Sequence, residues 1–197
     1  MIRTAACFAA MLLLAPVQSP NPKLLPDGPA FTADGQLKLP EHYREWIFLT
    51  SGLDMSYTSS ATSMGSMFDN VFVNPSAYLA YLQTGTWPDG TIIVLENRSG
   101  EAAKSINKAG KTQSTEIMGT EAHVKDSAHG GWGFYSFGKA KTAQRIPQAA
   151  TCYSCHEQHA AVDTTFVQFY PTLQPAAEAH KTWSKSYLAE TAKPDAK

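Results

Sequence analysis

Thr84-Gly85-Thr86-Trp87-Pro88-Asp89-Gly90-Thr91-Ile92-Ile93-Val94-Leu95-Glu96 combines a chain reversal with a strand. Pro88 presets φ and Asp89-Gly90 closes the turn. Thr91 to Glu96 is rich in β-branched side chains, which suit a pleated, half-buried surface. Just upstream, Val71-Phe72-Val73 reads as a short strand that ends at Asn74-Pro75, an N-cap followed by proline at the first helical position. Ala77 to Leu82 then predicts a short helix closed by Gly85. The unit is strand, helix, turn, strand.

Further out on the N-terminal side, Trp46 to Thr50 predicts a buried strand. Residues 51 to 67, rich in Ser, Thr, Gly and Met without a period, read as loop. On the C-terminal side, residues 97 to 112 read as polar loop and Glu116 to Lys125 as a strand. Trp132 to Phe137 predicts another strand after Gly130-Gly131. Residues 149 to 161 predict a helix. Asp163 is placed to cap a further short helix carrying Phe166, Val167 and Phe169 and stopped by Pro171. Ala176 to Thr191 predicts a final amphipathic helix. With no internal repeat, the expected class is α+β: an antiparallel β-sheet packed with short helices.

The chain has 197 residues, 43% of them hydrophobic and 17% charged, enough for one domain with a real core. A formal net charge of -1, with no basic run, excludes an electrostatic case for nucleic acid or an anionic membrane surface. Residues 1 to 20 read as a signal peptide: Arg3 gives a positive start, Ala5 to Val17 an apolar run, and Pro20 and Pro22 mark the polar sequence after it. The run is short for a membrane span. The expectation is export, periplasmic or otherwise, with no membrane span in the mature form.

Of three cysteines, Cys7 falls in that segment, leaving Cys152 and Cys155. Two cysteines spaced C-x-x-C and followed at once by His156 point to a site rather than a disulfide scaffold. Cys152-Tyr153-Ser154-Cys155-His156 carries the signature of covalent c-type haem attachment. Positions three apart share one face of a helix, so two thioethers can reach the two vinyl groups on one porphyrin edge. His156 is then placed to ligate the iron. A thioredoxin-like dithiol lacks its βαβ unit here, and a zinc site lacks a second C-x-x-C. The expected cofactor is one haem c on a C-terminal helix. The expected organisation is the signal over 1–20, an N-terminal arm over 21–40, the haem domain over 41–175 and a helical tail over 176–197.

No methionine follows His156, so a downstream sixth ligand is not suggested, although Met55, Met64, Met67 and Met118 could fold back. Strands and turns in place of four long helices disfavour a helical-bundle cytochrome. No distal His or Arg pair is evident, which argues against a peroxidase.

The chain resembles the cytochrome P-460 family, which includes the β-sheet cytochromes c′-beta. The resemblance rests on Tyr43-Arg44-Glu45-Trp46, on Val71 to Pro75 with Tyr78, and on Thr84 to Thr91. It continues through Val124-Lys125-Asp126-Ser127, Gly131 to Tyr135, the haem motif, Asp163, Phe166 and Phe169-Tyr170-Pro171. It implies an antiparallel sheet covered by helices, commonly a homodimer, with a five-coordinate haem open to small gaseous or nitrogenous ligands such as nitric oxide. It also implies hydroxylamine oxidation as the founding activity, with a redox partner that the sequence does not name. In those enzymes a lysine just before a glutamate, on the strand after the turn, cross-links to the porphyrin. Leu95 stands at that position, and no lysine occurs between Lys38 and Lys104. This departure points toward the cytochromes c′-beta, with Leu95 and Ile93 on one strand face as distal lining and Phe68 and Phe72 as further distal candidates. Glu96 then points the other way, and Arg44 reads as a member of a structural ion pair. Three functions stay open: a gas-binding haem protein, an oxidoreductase acting on hydroxylamine or nitric oxide, and a six-coordinate electron carrier.

Overall fold

A computed structural model describes residues 26–57, 65–102 and 104–192. The signal peptide expected over residues 1–20 lies outside them, as does Met64. The centre is a five-stranded antiparallel meander in strand order β2-β3-β4-β5-β6. Its strands are β2 (Ile47–Leu53), β3 (Met67–Val73), β4 (Ile92–Glu101), β5 (Thr112–Asp126) and β6 (Gly131–Gly138). A two-stranded ribbon of β1 (Leu37–Lys38) and β7 (Thr142–Ala143) lies beside it. Four short helices complete the described α+β fold: α1 (Pro75–Thr84), α2 (Thr151–His159), α3 (Gln174–His180) and α4 (Lys185–Thr191). Among the described residues no helix is long and apolar enough to cross a membrane.

Alternation along β4 divides the interior in two. Ile93 joins Val71, Val73, Phe134 and residues from α1 and α3 in one core, with Leu95 packed against it. Ile92 and Val94 join Leu37, Tyr43, Ala122, Val124 and Phe137 in a second core on the opposite face. Full burial of each such aliphatic side chain is worth about 1.5–3 kcal/mol relative to exposure. Two-sided burial therefore fixes the register, because a one-residue slip would exchange the two sets.

The sheet is longer than its apolar runs. Ser51, Gly52 and Leu53 pair with Asn70, Asp69 and Phe68, so β2 continues into the stretch that reads as loop. The polar residues after Asn97 extend β4 to Glu101, and β5 begins at Thr112 rather than Glu116. Ladder bonds and the Arg98 guanidinium, which donates to the carbonyls of Ser114 and Thr115, hold this hairpin without a hydrophobic face. The final helix is two helices, because Lys181 adopts a left-handed φ of 56° and ends α3.

Local chemistry at the turn follows the sequence, with one exchange of roles. Asn74 is the N-cap of α1, but its Oδ1 accepts from the Ile92 amide at 2.8 Å and its Nδ2 donates to the Gly90 carbonyl. Asp27 instead accepts from the Ser76 amide at the helix start. Gly85 takes φ 70° at the C-cap, where an added Cβ would lie 2.6 Å from Cβ of His180. Only glycine fits there without strain.

On the second face, Glu96 is 2% exposed and receives hydrogen bonds from Tyr43, Arg44 and Arg98. Burial opposes ionisation, yet the bonds from Arg98, Tyr43 and Arg44 hold its carboxyl below the ordinary range. Removing one partner of a buried ionic cluster leaves the others unpaired, at a cost of about 3 kcal/mol. Glu96→Gln should therefore lower the unfolding free energy by about that amount in urea denaturation. A lowered folded pKa means that this stability is complete above the ordinary glutamate pKa and is lost as pH falls through the folded value. The gap between natural and variant chains should accordingly be full at neutral pH and shrink in acid.

Candidate functional site

Helix α2 carries Cys152, Cys155 and His156. It has no buried residue and no side-chain cap, so its own sequence holds it weakly. Tyr153 docks it on β6: the ring stacks on Phe134 at 4.3 Å, nearly parallel. The Tyr153 hydroxyl donates to the Ile146 carbonyl and accepts from the Phe134 amide, each at 3.1 Å. Cys152 and Cys155 are half-buried free thiols on one helical face.

His156 is oriented from four sides. Its ring lies 4.4 Å from that of Phe166, 4.6 Å from Phe134 and 4.8 Å from His123. Nδ1 lies 2.8 Å from the carbonyl oxygen of Thr164. A carbonyl only accepts, so Nδ1 carries the hydrogen and Nε2 keeps its lone pair for a metal. Burial lowers the His156 pKa, against the opposing bond to Thr164, which favours the neutral ligating form. Thr164 is presented by two successive left-handed residues, Asp163 at φ 48° and Thr164 at φ 56°. Such residues are strained unless their surroundings hold them. Here Lys125 grips the Asp163 carboxylate while also donating to the Trp87 carbonyl, and Val162 bridges Thr165. Asp163 thus anchors a turn instead of capping a helix, and only a 3-10 turn, Val167–Phe169, follows.

A cavity of about 480 Å³ separates α2 from the sheet. Ile93, Leu95, Cys152, Cys155 and His156 all line it, so the structure gathers these sequence candidates around one space. Phe68 and Phe72 require correction, because neither lines the cavity. Phe72 packs on Tyr43 and Phe48 on the other face of the sheet, and Phe68 shares its parity along a β3 with regular register. The β3 residues that do line the cavity are Asp69 and Val71.

Other lining residues escaped the sequence reading. Register pairs Ile93 with His123 and Leu95 with Glu121. The cavity wall therefore alternates apolar and polar groups, and it contains a second histidine. The available signal was period two on β5, which puts Glu121, His123 and Lys125 on one face. Burial, and then the neighbouring His156, push the His123 pKa down to about 3, so this imidazole is neutral at working pH. Glu121 is raised by burial and then by Asp69, and Asp69 is raised by burial despite a bond from Asn97. Thr50, Gly52, Met55 and Tyr57 complete the far wall from the end of β2 and the residues beyond it. Gly52, Met55 and Tyr57 belong to the stretch that reads as featureless loop, and Thr50 to the end of the strand expected before it.

The donor set suits a haem: two thiols on one helical face, one imidazole with Nε2 free, and an aromatic-rich cavity in the volume range of cofactor sites. Among the described residues no cluster of three or more His, Cys, Asp or Glu side chains could hold a bare metal ion. No curated protein matches the chain. The family model described as Cytochrome P460 matches residues 40–167, well over half of the chain and all of the cavity wall except Phe169 and Tyr170. The chain therefore belongs to the cytochrome P460 family of haem-binding cytochromes.

Proposed function

We propose that the chain is an exported mono-haem cytochrome that binds small diatomic ligands such as nitric oxide. In this reading Cys152 and Cys155 form the two thioethers and His156 is the proximal ligand. The observation that carries it is His156 itself, with Nδ1 committed to the Thr164 carbonyl and Nε2 left for iron beside two free thiols. Homodimer formation is part of the same reading through the family resemblance. Haem held by these residues would supply an iron able to take up and release a small ligand. The protein's part is to hold His156 neutral, to exclude water with Ile93, Leu95, Val71, Phe134 and Phe166, and to admit an uncharged molecule at the mouth.

A second reading, hydroxylamine or nitric oxide oxidoreduction, draws on Asp69 and Glu121. These bring two carboxyl groups of raised pKa to the cavity as proton acceptors. Turnover of hydroxylamine with an electron acceptor separates this reading from simple binding.

The direct test is the absorption spectrum of the matured protein, oxidised and reduced, before and after carbon monoxide. An ordinary c-type reduced spectrum that shifts fully with the gas is expected. A low-spin spectrum indifferent to carbon monoxide would leave an electron carrier instead. Leu95→Lys tests the distal wall, since it returns a lysine to the position that the resemblance assigns to the cross-link. A red-shifted reduced band is expected of that variant. An unshifted band would mean that Glu121, the cross-strand neighbour of Leu95, captures the ammonium away from the porphyrin.

A further inference from the structure

We propose that Lys125 is a positioning residue for His156, acting through Asp163 to hold the Thr164 carbonyl that orients the imidazole. This rests on the haem reading above. Lys125 follows Glu121 and His123 in the β5 row that faces α2, yet unlike them it does not line the cavity. Its backbone is clamped: the amide donates to the Thr91 carbonyl at 3.0 Å, and the carbonyl accepts from the Gly90 amide at 2.9 Å. The ammonium therefore starts from a fixed point beside the Trp-Pro-Asp-Gly turn. It donates to the Trp87 carbonyl at 2.7 Å and to the Asp163 carboxylate. The Lys125 and Asp163 side chains are only 19% and 29% exposed, so water and salt screen this pair less than a surface one.

The turn that Lys125 grips does not hold itself. Asp163 and Thr164 both take a left-handed φ, which costs free energy in any residue with a Cβ. The Thr164 hydroxyl is buried and has no hydrogen-bond partner among the described residues, which is a second cost. What the arrangement gains is the direction of one carbonyl, the Thr164 oxygen that accepts from Nδ1 of His156. Other ties pin the flanks. Val162 and Thr165 exchange backbone bonds at 2.8 and 3.2 Å, and the Trp87 indole donates to the Thr165 hydroxyl. Between those flanks, Lys125 is the one hydrogen-bond partner of the Asp163 side chain among the described residues.

The consequence lies in the ligating nitrogen. A hydrogen bond from Nδ1 makes Nε2 the stronger donor, so whatever fixes the Thr164 carbonyl also sets how firmly His156 holds a metal. Lysine suits this task because its flexible stem and three N–H donors serve acceptors on two different segments at once. Through it, the turn at Trp87 and strand β5 together determine the basicity of an imidazole that neither touches with a hydrogen bond.

The test compares the natural holo-protein with Lys125→Met, Lys125→Arg and Asp163→Asn. Glu96→Gln, on the opposite face of the sheet, is the control for lost stability alone. The iron–histidine stretch of the reduced form is read by resonance Raman, and the reduction potential by redox titration. Lys125→Met should lower the stretching frequency and raise the potential, because a less basic imidazole stabilises ferric iron less. Asp163→Asn should shift both in the same direction, and combining the two should add little, since the residues act in series. Lys125→Arg keeps a cation with donors for both acceptors and should restore the natural values. Glu96→Gln should leave both readouts where they were. A haem-loaded Lys125→Met with unshifted stretch and potential, or a Glu96→Gln that moves them equally, would overturn the proposal while leaving the haem reading standing. Should Lys125→Met fail to fold, Asp163→Asn decides by the same two readouts. A natural chain that carries no covalent haem would sink both readings together.

Discussion

Two-sided burial of β4 is the constraint on which the rest depends. Ile92, Ile93 and Val94 are each at most 4% exposed, and they face alternate cores. Because side chains alternate strictly, placing Ile92 and Val94 in the second core obliges Ile93 and Leu95 to face α2. The same alternation sends Glu96 away from the cavity, where its charge is neutralised by Arg44 and Arg98 rather than left in an apolar site. Neighbouring strands inherit the choice through register: Val71 sits beside Leu95, and His123 beside Ile93. A single hydrophobic pattern thus sets which residues a cofactor meets, three strands wide.

The α2 side of the site is organised by hydrogen bonds more than by burial. Tyr153 joins the helix to β6, and the Thr164 carbonyl turns His156. Behind Thr164 stands Lys125, whose ammonium spans the Trp87 carbonyl and the Asp163 carboxylate. Trp87 in turn donates from its indole to Thr165 at 2.8 Å. The Trp-Pro-Asp-Gly turn and His156 are therefore linked by a chain of direct contacts. This explains physically why the turn and the C-x-x-C-H motif, distant in sequence, are parts of one site.

The central strand, the turn and helix α1 were legible in the sequence because each carries local chemistry: β-branched alternation, a Pro-Asp-Gly reversal, an Asn-Pro cap. The C-x-x-C-H residues were legible because their spacing alone implies a use. The β4–β5 hairpin beyond Asn97 was not, since its ladder is held by backbone bonds and Arg98 and leaves no hydrophobic period. Phe68 and Phe72 misled because apolar character does not reveal which face a strand residue takes; only pairing does that. Phe72 was claimed by Tyr43 and Phe48, and Asp69 and Val71 took the cavity side. Met55 and Tyr57 were hidden by composition, since a Ser- and Gly-rich stretch carries no signal that a strand persists through Leu53 and then turns.

The weakness of α2 is itself informative. A nine-residue helix is marginal in isolation, and this one lacks a side-chain cap and any buried residue. Its last turn also holds His156, whose ring packs against Phe134, Phe166 and His123 beyond the helix, and the exposed His159. Such a helix persists only through what it docks against, and half of its inward face is the pair of thiols and the imidazole that line the cavity. Whatever fills that space supplies contacts that the helix cannot make with the sheet alone, so occupancy stabilises the folded state by mass action. The covalent attachment proposed above would make that stabilisation permanent, since a thioether does not dissociate. The residues that define the chemistry of the site are, for this reason, also the ones that complete the fold.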